Sequence, residues 1–165
     1  MEAFATLAEV AVGVAGFGSV AIVLAREEGW SGSDLFRVSS FLMASLGALL
    51  LSLLPIGLAG SSLSDTAALQ LTSAALLVFS GAFMTVNLRM RRRHLDPSLY
   101  FGTGLMLLLG VTAVLNVGAQ LASVAGPWVG SVAAPFFGVV WILGYACLVL
   151  VRILFFRPSP NKESS

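Results

Sequence analysis

One acidic residue, Glu9, lies inside a long apolar run near the start of the chain, and it is the first candidate for chemistry. An ionisable group is costly inside a membrane, so such residues are rare there and commonly functional. Glu9, Gly13, Gly16 and Val20 are spaced by four, three and four residues and therefore share one helix face. Because small residues let helices approach closely, we expect Gly13 and Gly16 to pack against another helix, with Glu9 pointing into a bundle.

Uncharged polar residues form further lines at helical spacing. On the fourth apolar run they are Thr112, Asn116, Gln120 and Ser123; on the third they are Gln70, Ser73, Ser80 and Asn87; on the second they are Ser45 and Ser52. The members expected near the outer membrane face are candidate ligands for a proton, a small cation or a polar solute: Glu9, Ser52, Gln70, Asn116 and Gln120. The alternative is that these groups hydrogen-bond between helices, at roughly 0.6 kcal/mol each.

The residue inventory argues against several other chemistries. His94 is the only histidine and Cys147 the only cysteine, so one chain lacks the ligands for a disulfide, a cysteine–histidine metal site or a bis-histidine haem. Residues 13–18 superficially suggest a glycine-rich nucleotide motif, but no strand precedes them, which favours helix packing. We therefore predict no cofactor and no catalytic residues.

The elements that position these residues are apolar runs long enough to cross a bilayer. Hydrophobic residues make up 58% of the 165 residues and charged residues 10%, against about 45–50% and about 25% in soluble domains. A spanning helix needs about 20 apolar residues. We predict an all-α bundle forming one membrane domain, residues 1–157, followed by a polar tail, 158–165, with five spans at 3–25, 38–60, 66–90, 99–125 and 128–156.

Smaller features refine this arrangement of five spans. Asp34 and Asp65 are predicted N-caps of the second and third helices, because a short acidic side chain accepts hydrogen bonds from the first turn. Pro135 could kink the fifth helix, since proline removes a backbone donor. The short connections between the spans favour neighbouring antiparallel helices.

The basic residues predict the orientation. With five spans, all nine fall on one side, and none on the other: Arg26, Arg37, Arg89, Arg91, Arg92, Arg93, Arg152, Arg157 and Lys162. Because Lys and Arg accumulate on the cytoplasmic side, the N-terminus is expected outside and the C-terminus inside. If the first run lay in the interface instead, only the N-terminus would change sides. The composition suggests a small multi-pass protein of a bacterial cytoplasmic membrane.

A basic cluster ends the third predicted span. Arg89, Arg91, Arg92 and Arg93 are candidates for binding anionic lipid headgroups, at about 1 kcal/mol per residue. The alternative is that they only determine topology. No basic face suited to nucleic acid is present.

These features support two leading functional hypotheses. The first is a structural or regulatory membrane protein whose glycine faces and polar lines bind a copy of the same chain or a partner membrane protein. The second is a small transporter or channel that uses Glu9 and the outer polar cluster. A membrane enzyme is the least favoured class, because too few ionisable groups converge.

Overall fold

The computed structural model describes residues 2–24, 32–93 and 103–155, and the predicted tail therefore lies outside the described residues. Five helices occupy these ranges, and no strand occurs in them: α1 Glu2–Leu24, α2 Gly32–Ala59, α3 Asp65–Arg93, α4 Thr103–Ala125 and α5 Ala133–Phe155. Each helix is long and apolar enough to cross a membrane. The prediction of an all-α protein with five candidate spans is confirmed.

The two central helices are α2 and α5. Helix α5 contacts all four other helices, and its contact with α2 is the most extensive in the bundle. Helix α1 packs on α2 and α5, whereas α4 packs on α3 and α5. The fully buried side chains Phe4, Phe41, Leu76 and Ile142 belong to one hydrophobic core shared by α1, α2, α3 and α5. Among the described residues, α1 and α4 therefore each keep one face that no other helix covers.

Close packing of the bundle depends on glycines that meet aromatic rings. The Phe41 ring lies directly over Gly18, and the Phe79 ring lies over Gly47, so a Cβ atom at either glycine would overlap a ring. These contacts join α1 to α2 and α2 to α3, respectively. Because association in lipid relies on van der Waals packing, these two glycines are structurally important.

Both predicted N-caps are corrected by the structure. Helix α3 is capped by Ser64, whose Oγ accepts a hydrogen bond from the Ala67 N–H at 3.3 Å. Asp65 is instead the first residue of the helix, where a negative charge interacts favourably with the helix dipole. Helix α2 begins at Gly32, so Asp34 lies within its first turn.

The fifth helix begins later than predicted, and this changes the role of Pro135. Helix α4 ends where the N–H groups of Gly126 and Trp128 both donate to the Ala122 carbonyl, at 3.1 Å each. Gly130 then takes a φ of 77°, which suits glycine, and α5 starts at Ala133. Pro135 lies in the first turn, where a backbone N–H has no intrahelical acceptor. It therefore supplies no reason for the predicted kink.

Candidate functional site

Among the described residues, the largest polar side chain that is fully buried is Gln120 on α4, which is 1% exposed. Its Nε2 donates to the Ala134 carbonyl of α5 at 2.6 Å and to Asn116 Oδ1 at 3.1 Å. Its Oε1 is buried and has no hydrogen-bond partner among the described residues. Gln120 thus joins two helices while retaining one unused acceptor.

Gly138 on α5 makes room for this amide. A Cβ atom at Gly138 would lie 2.5 Å from Gln120 Nε2, 3.0 Å from Leu76 Cδ1 and 3.3 Å from Asn116 Oδ1. Only a residue without a side chain lets α5 approach α4 and α3 so closely here. The glycine and the amide therefore form one packing unit.

Further hydrogen bonds tie α4 to its neighbours. Gln70 Nε2 donates to the Val124 carbonyl at 3.1 Å, and Ser73 Oγ donates to Ser123 Oγ at 3.1 Å. We refer to the whole set as the α4 polar network, which consists of Gln70, Ser73, Thr112, Asn116, Gln120, Ser123 and Trp141. Its donors are mostly satisfied by other helices, as expected of groups that hold a membrane bundle together.

Sequence reasoning missed Trp141 as a member of this network. Its Nε1 donates to Thr112 Oγ1 at 3.0 Å, which adds a second polar link between α5 and α4. The available signal was the indole N–H itself, because a tryptophan within an apolar helix needs an acceptor when it is buried. The main-chain acceptors on Val124 and Ala134 could not be identified from residue types.

Ser52 does not join the network through any hydrogen bond shown by the described residues. Its side chain is completely buried on α2, and its Oγ donates to the Ala48 carbonyl one turn earlier at 2.7 Å. Ser45 bonds the Phe41 carbonyl in the same way at 2.8 Å. Such bonds satisfy a hydroxyl within its own helix.

Glu9 points away from the bundle, contrary to our expectation. Its side chain is exposed on α1, and so are Gly13, Gly16 and Val20. The opposite face carries the buried residues Phe4, Leu7, Ala8, Ala11, Gly18 and Ile22, which pack on α2 and α5. A Cβ atom at Gly13 or Gly16 would meet nothing within 4 Å. The structure therefore separates Glu9 from Gln70, Asn116 and Gln120.

The predicted headgroup cluster is only partly described. Arg89 is exposed near the end of α3. The backbone of Arg91, Arg92 and Arg93 forms the last turn of that helix, but their side chains lie outside the described part of the structure. Lipid binding by this cluster stays a prediction.

Comparison with known proteins gives no further guide to the site: no family model, curated protein or solved structure matches this chain.

Proposed function

We propose that this chain is an integral membrane protein that functions by assembly, and that one face of α1 binds the same face of a second copy. We call this surface the Glu9 face; it consists of Glu9, Gly13, Gly16 and Val20. The observation that carries the proposal is a carboxyl group beside two uncovered glycines on the outer surface of an apolar helix. The predicted orientation, with the N-terminus outside and the C-terminus in the cytoplasm, is part of this proposal.

The position of Glu9 makes an uncovered carboxyl costly. It is the eighth residue of α1, so its Cα lies about 10 Å along the axis from the first residue. If α1 spans the bilayer, this depth places the carboxyl below the headgroups, where ionisable side chains seek a polar partner. No described helix of the same chain covers this face, since Glu9 is exposed there. A partner from outside the chain would supply what the bundle does not.

A second copy of the chain would cover the Glu9 carboxyl of the first by symmetry. In a parallel two-fold dimer the same surface is used by both subunits, so residues near the axis meet their own counterparts. Glu9 would then face its counterpart, so each subunit would cover the carboxyl group of the other. Gly13 and Gly16 would allow the two α1 backbones to come close. All nine basic residues fall on the opposite side in the five-span arrangement, so no basic side chain would pair with Glu9 in this half.

The transport hypothesis has less support from the geometry. The buried polar residues of α3, α4 and α5 are largely engaged with one another, and Gln120 is bonded to Ala134 and Asn116. Glu9 lies on a different surface, so a single chain does not present these groups as one path. The bonding pattern favours a role in holding the helices together.

The test is the oligomeric state in lipid. We would attach one fluorophore per chain, reconstitute the protein in vesicles and count bleaching steps for wild type, Gly13→Leu and Gly118→Leu. Gly118 is the matched control, because it is exposed on α4 and a Cβ atom there would also meet nothing within 4 Å. We expect dimers for wild type and for Gly118→Leu, and monomers for Gly13→Leu. A monomeric wild type, or dimers in all three, would overturn the proposal.

Two further variants test the carboxyl itself. Glu9→Gln keeps a group that donates and accepts hydrogen bonds, and should preserve the dimer, whereas Glu9→Leu should weaken it. A measurement of proton or cation flux in the same vesicles distinguishes the transport hypothesis from the assembly hypothesis. Flux in wild type that disappears in Glu9→Gln, with the dimer intact, would favour a transport path through α1.

A further inference from the structure

Two buried oxygen atoms on α3 and α4 have no hydrogen-bond partner among the described residues. One is Gln120 Oε1 on α4, and the other is Ser80 Oγ on α3. Buried side-chain oxygens nearly always have a partner, which is either another protein group or an ordered water. Because α3 and α4 pack against each other, the two atoms call for a common explanation.

The hydroxyl of Ser80 does not use the acceptor that its own helix offers. Ser52 and Thr72 are completely buried, and each donates to the carbonyl four residues earlier, at 2.7 and 2.8 Å respectively. Ser73 donates instead to a side chain on another helix, Ser123 Oγ, at 3.1 Å. Ser80 Oγ does neither within the described part of the chain. Its hydroxyl is therefore available to a group outside α3.

The register of the two helices predicts that Ser80 faces Asn116. Ser80 follows Ser73 by seven residues, and Asn116 precedes Ser123 by seven residues. Seven residues are close to two helical turns, so each pair shares one face of its helix. The short connection makes α3 and α4 antiparallel neighbours. The contact between Ser73 and Ser123 therefore places Ser80 opposite Asn116, about 10 Å further along the same pair of helices.

The Asn116 amide connects this position to Gln120. Asn116 Oδ1 accepts a hydrogen bond from Gln120 Nε2 at 3.1 Å, and the Ala134 carbonyl accepts a second one at 2.6 Å. Both N–H donors of the Gln120 amide are thus used. Exchanging the nitrogen and oxygen of this amide would place Oε1 against two acceptors, so a flipped amide does not explain the unpartnered atom. Gln120 Oε1 needs a donor from elsewhere.

We infer that one ordered water molecule is bound between α3, α4 and α5, where it donates a hydrogen bond to Gln120 Oε1 and contacts Ser80 Oγ. Water fits because it donates to an amide oxygen and can either donate to a hydroxyl or accept from it. Buried waters make about three hydrogen bonds to otherwise unsatisfied groups, and the Asn116 amide supplies a third polar neighbour. The water completes the α4 polar network. The Glu9 face takes no part in it, so this inference is independent of the proposed dimer.

The experiment is radiolytic hydroxyl labelling of the full chain in lipid nanodiscs, with mass spectrometry of Leu76. An X-ray pulse converts bound water into hydroxyl radicals, which oxidise the side chains beside it. Leu76 is completely buried, but its Cδ1 and Gln120 Nε2 lie 3.0 and 2.5 Å from one point, the Cβ position of Gly138. We expect Leu76 to be oxidised severalfold faster than Phe41, which is equally buried but packs against Gly18 on α1.

Two variants remove groups that hold the water. Ser80→Ala and Gln120→Met should each lower the oxidation of Leu76 severalfold. Ser52→Ala is the matched control, because Ser52 is completely buried and its hydroxyl is satisfied within α2, so Leu76 should be oxidised as in wild type. Thermal unfolding confirms that each variant is folded. Ser80→Ala deletes only one oxygen atom, and it keeps the test decisive if Gln120→Met does not fold.

Isotope exchange distinguishes a bound water from brief entry of solvent. The chain is mixed with heavy-oxygen water and pulsed after increasing delays. A bound water should deliver the original isotope to Leu76 after the exposed Trp128 already receives the heavy one. Exchange at Leu76 as fast as at Trp128 would overturn the inference. Oxidation of Leu76 no faster than that of Phe41, or equal oxidation of Leu76 in wild type and both water-site variants, would also overturn it.

Discussion

Gly138→Ala tests the central packing unit of the bundle. The added methyl would lie 2.5 Å from Gln120 Nε2, with Leu76 Cδ1 at 3.0 Å on another side. Gln120 cannot move freely, because its amide is held by the Ala134 carbonyl at 2.6 Å and by Asn116 at 3.1 Å. Either the amide gives up these bonds or α5 moves away from α4.

The expected change in the free energy of unfolding of Gly138→Ala is the sum of opposing effects. Overpacking a filled core costs about 1–3 kcal/mol. Loss of an interhelical hydrogen bond adds about 0.6 kcal/mol. The higher helix propensity of alanine returns up to about 1 kcal/mol. We therefore expect Gly138→Ala to lower the free energy of unfolding by about 1–3 kcal/mol.

Gly144→Ala is the matched control on the same helix. A Cβ atom there meets nothing within 4 Å, so this variant should be neutral or stabilised by up to about 1 kcal/mol. The two variants should thus differ by about 1–4 kcal/mol. Reversible unfolding in mixed detergent micelles, followed by tryptophan fluorescence, measures both on one scale.

A double-variant cycle makes the test specific to Gln120. In a Gln120→Ala background the space beside Gly138 is open, so the added methyl should cost much less than in wild type. Two results would refute the reasoning: equal stabilities of Gly138→Ala and Gly144→Ala, or the same cost of Gly138→Ala with and without the Gln120 side chain. Either would mean that the close contact does not govern the packing of α5.

Three further variants use the same unfolding measurement. Ser64→Ala removes the α3 cap and should lower the free energy of unfolding by about 1 kcal/mol, while an unchanged value would show that water replaces the cap. Gly18→Ala forces the Phe41 ring to move and should cost about 1–3 kcal/mol; no loss would mean that the ring rotates aside freely. Trp141→Phe removes the hydrogen bond to Thr112 and should lower the free energy of unfolding by about 0.6 kcal/mol. Because this variant changes the tryptophan signal, its unfolding is followed by circular dichroism. A loss of several kcal/mol would contradict the assignment of a single hydrogen bond.

The number and type of the helices could be predicted because crossing a bilayer demands a minimum length of apolar sequence. Their ends were harder, since apolar residues continue through the turn before α5. Trp128 and Val129 have the composition of a helix, yet the bonds to the Ala122 carbonyl and the positive φ of Gly130 end one helix before the next begins. Composition alone does not distinguish a turn from a span when both are apolar.

Helical spacing placed Asn116 and Gln120 on one face, and the structure brings their amides within 3.1 Å. Spacing could not reveal the acceptors on other helices, because a main-chain carbonyl is present at every residue. The role of Gly138 was missed for the same reason: its importance comes from Gln120 and Leu76, which are distant in sequence.

The outward direction of the Glu9 side chain indicates that close packing, and not the cost of one carboxyl group, sets the orientation of α1. We expected the carboxyl to turn inward because charge is costly in lipid, but α1 buries Phe4 and Ala11 instead. In lipid, helices associate through close packing over many contacts, and an inward carboxyl would displace those contacts along the helix. A cost confined to one side chain can instead be met from outside, by a partner that covers it. If the proposed dimer forms, the second copy would meet the polar requirement of α1 that the described part of one chain leaves open.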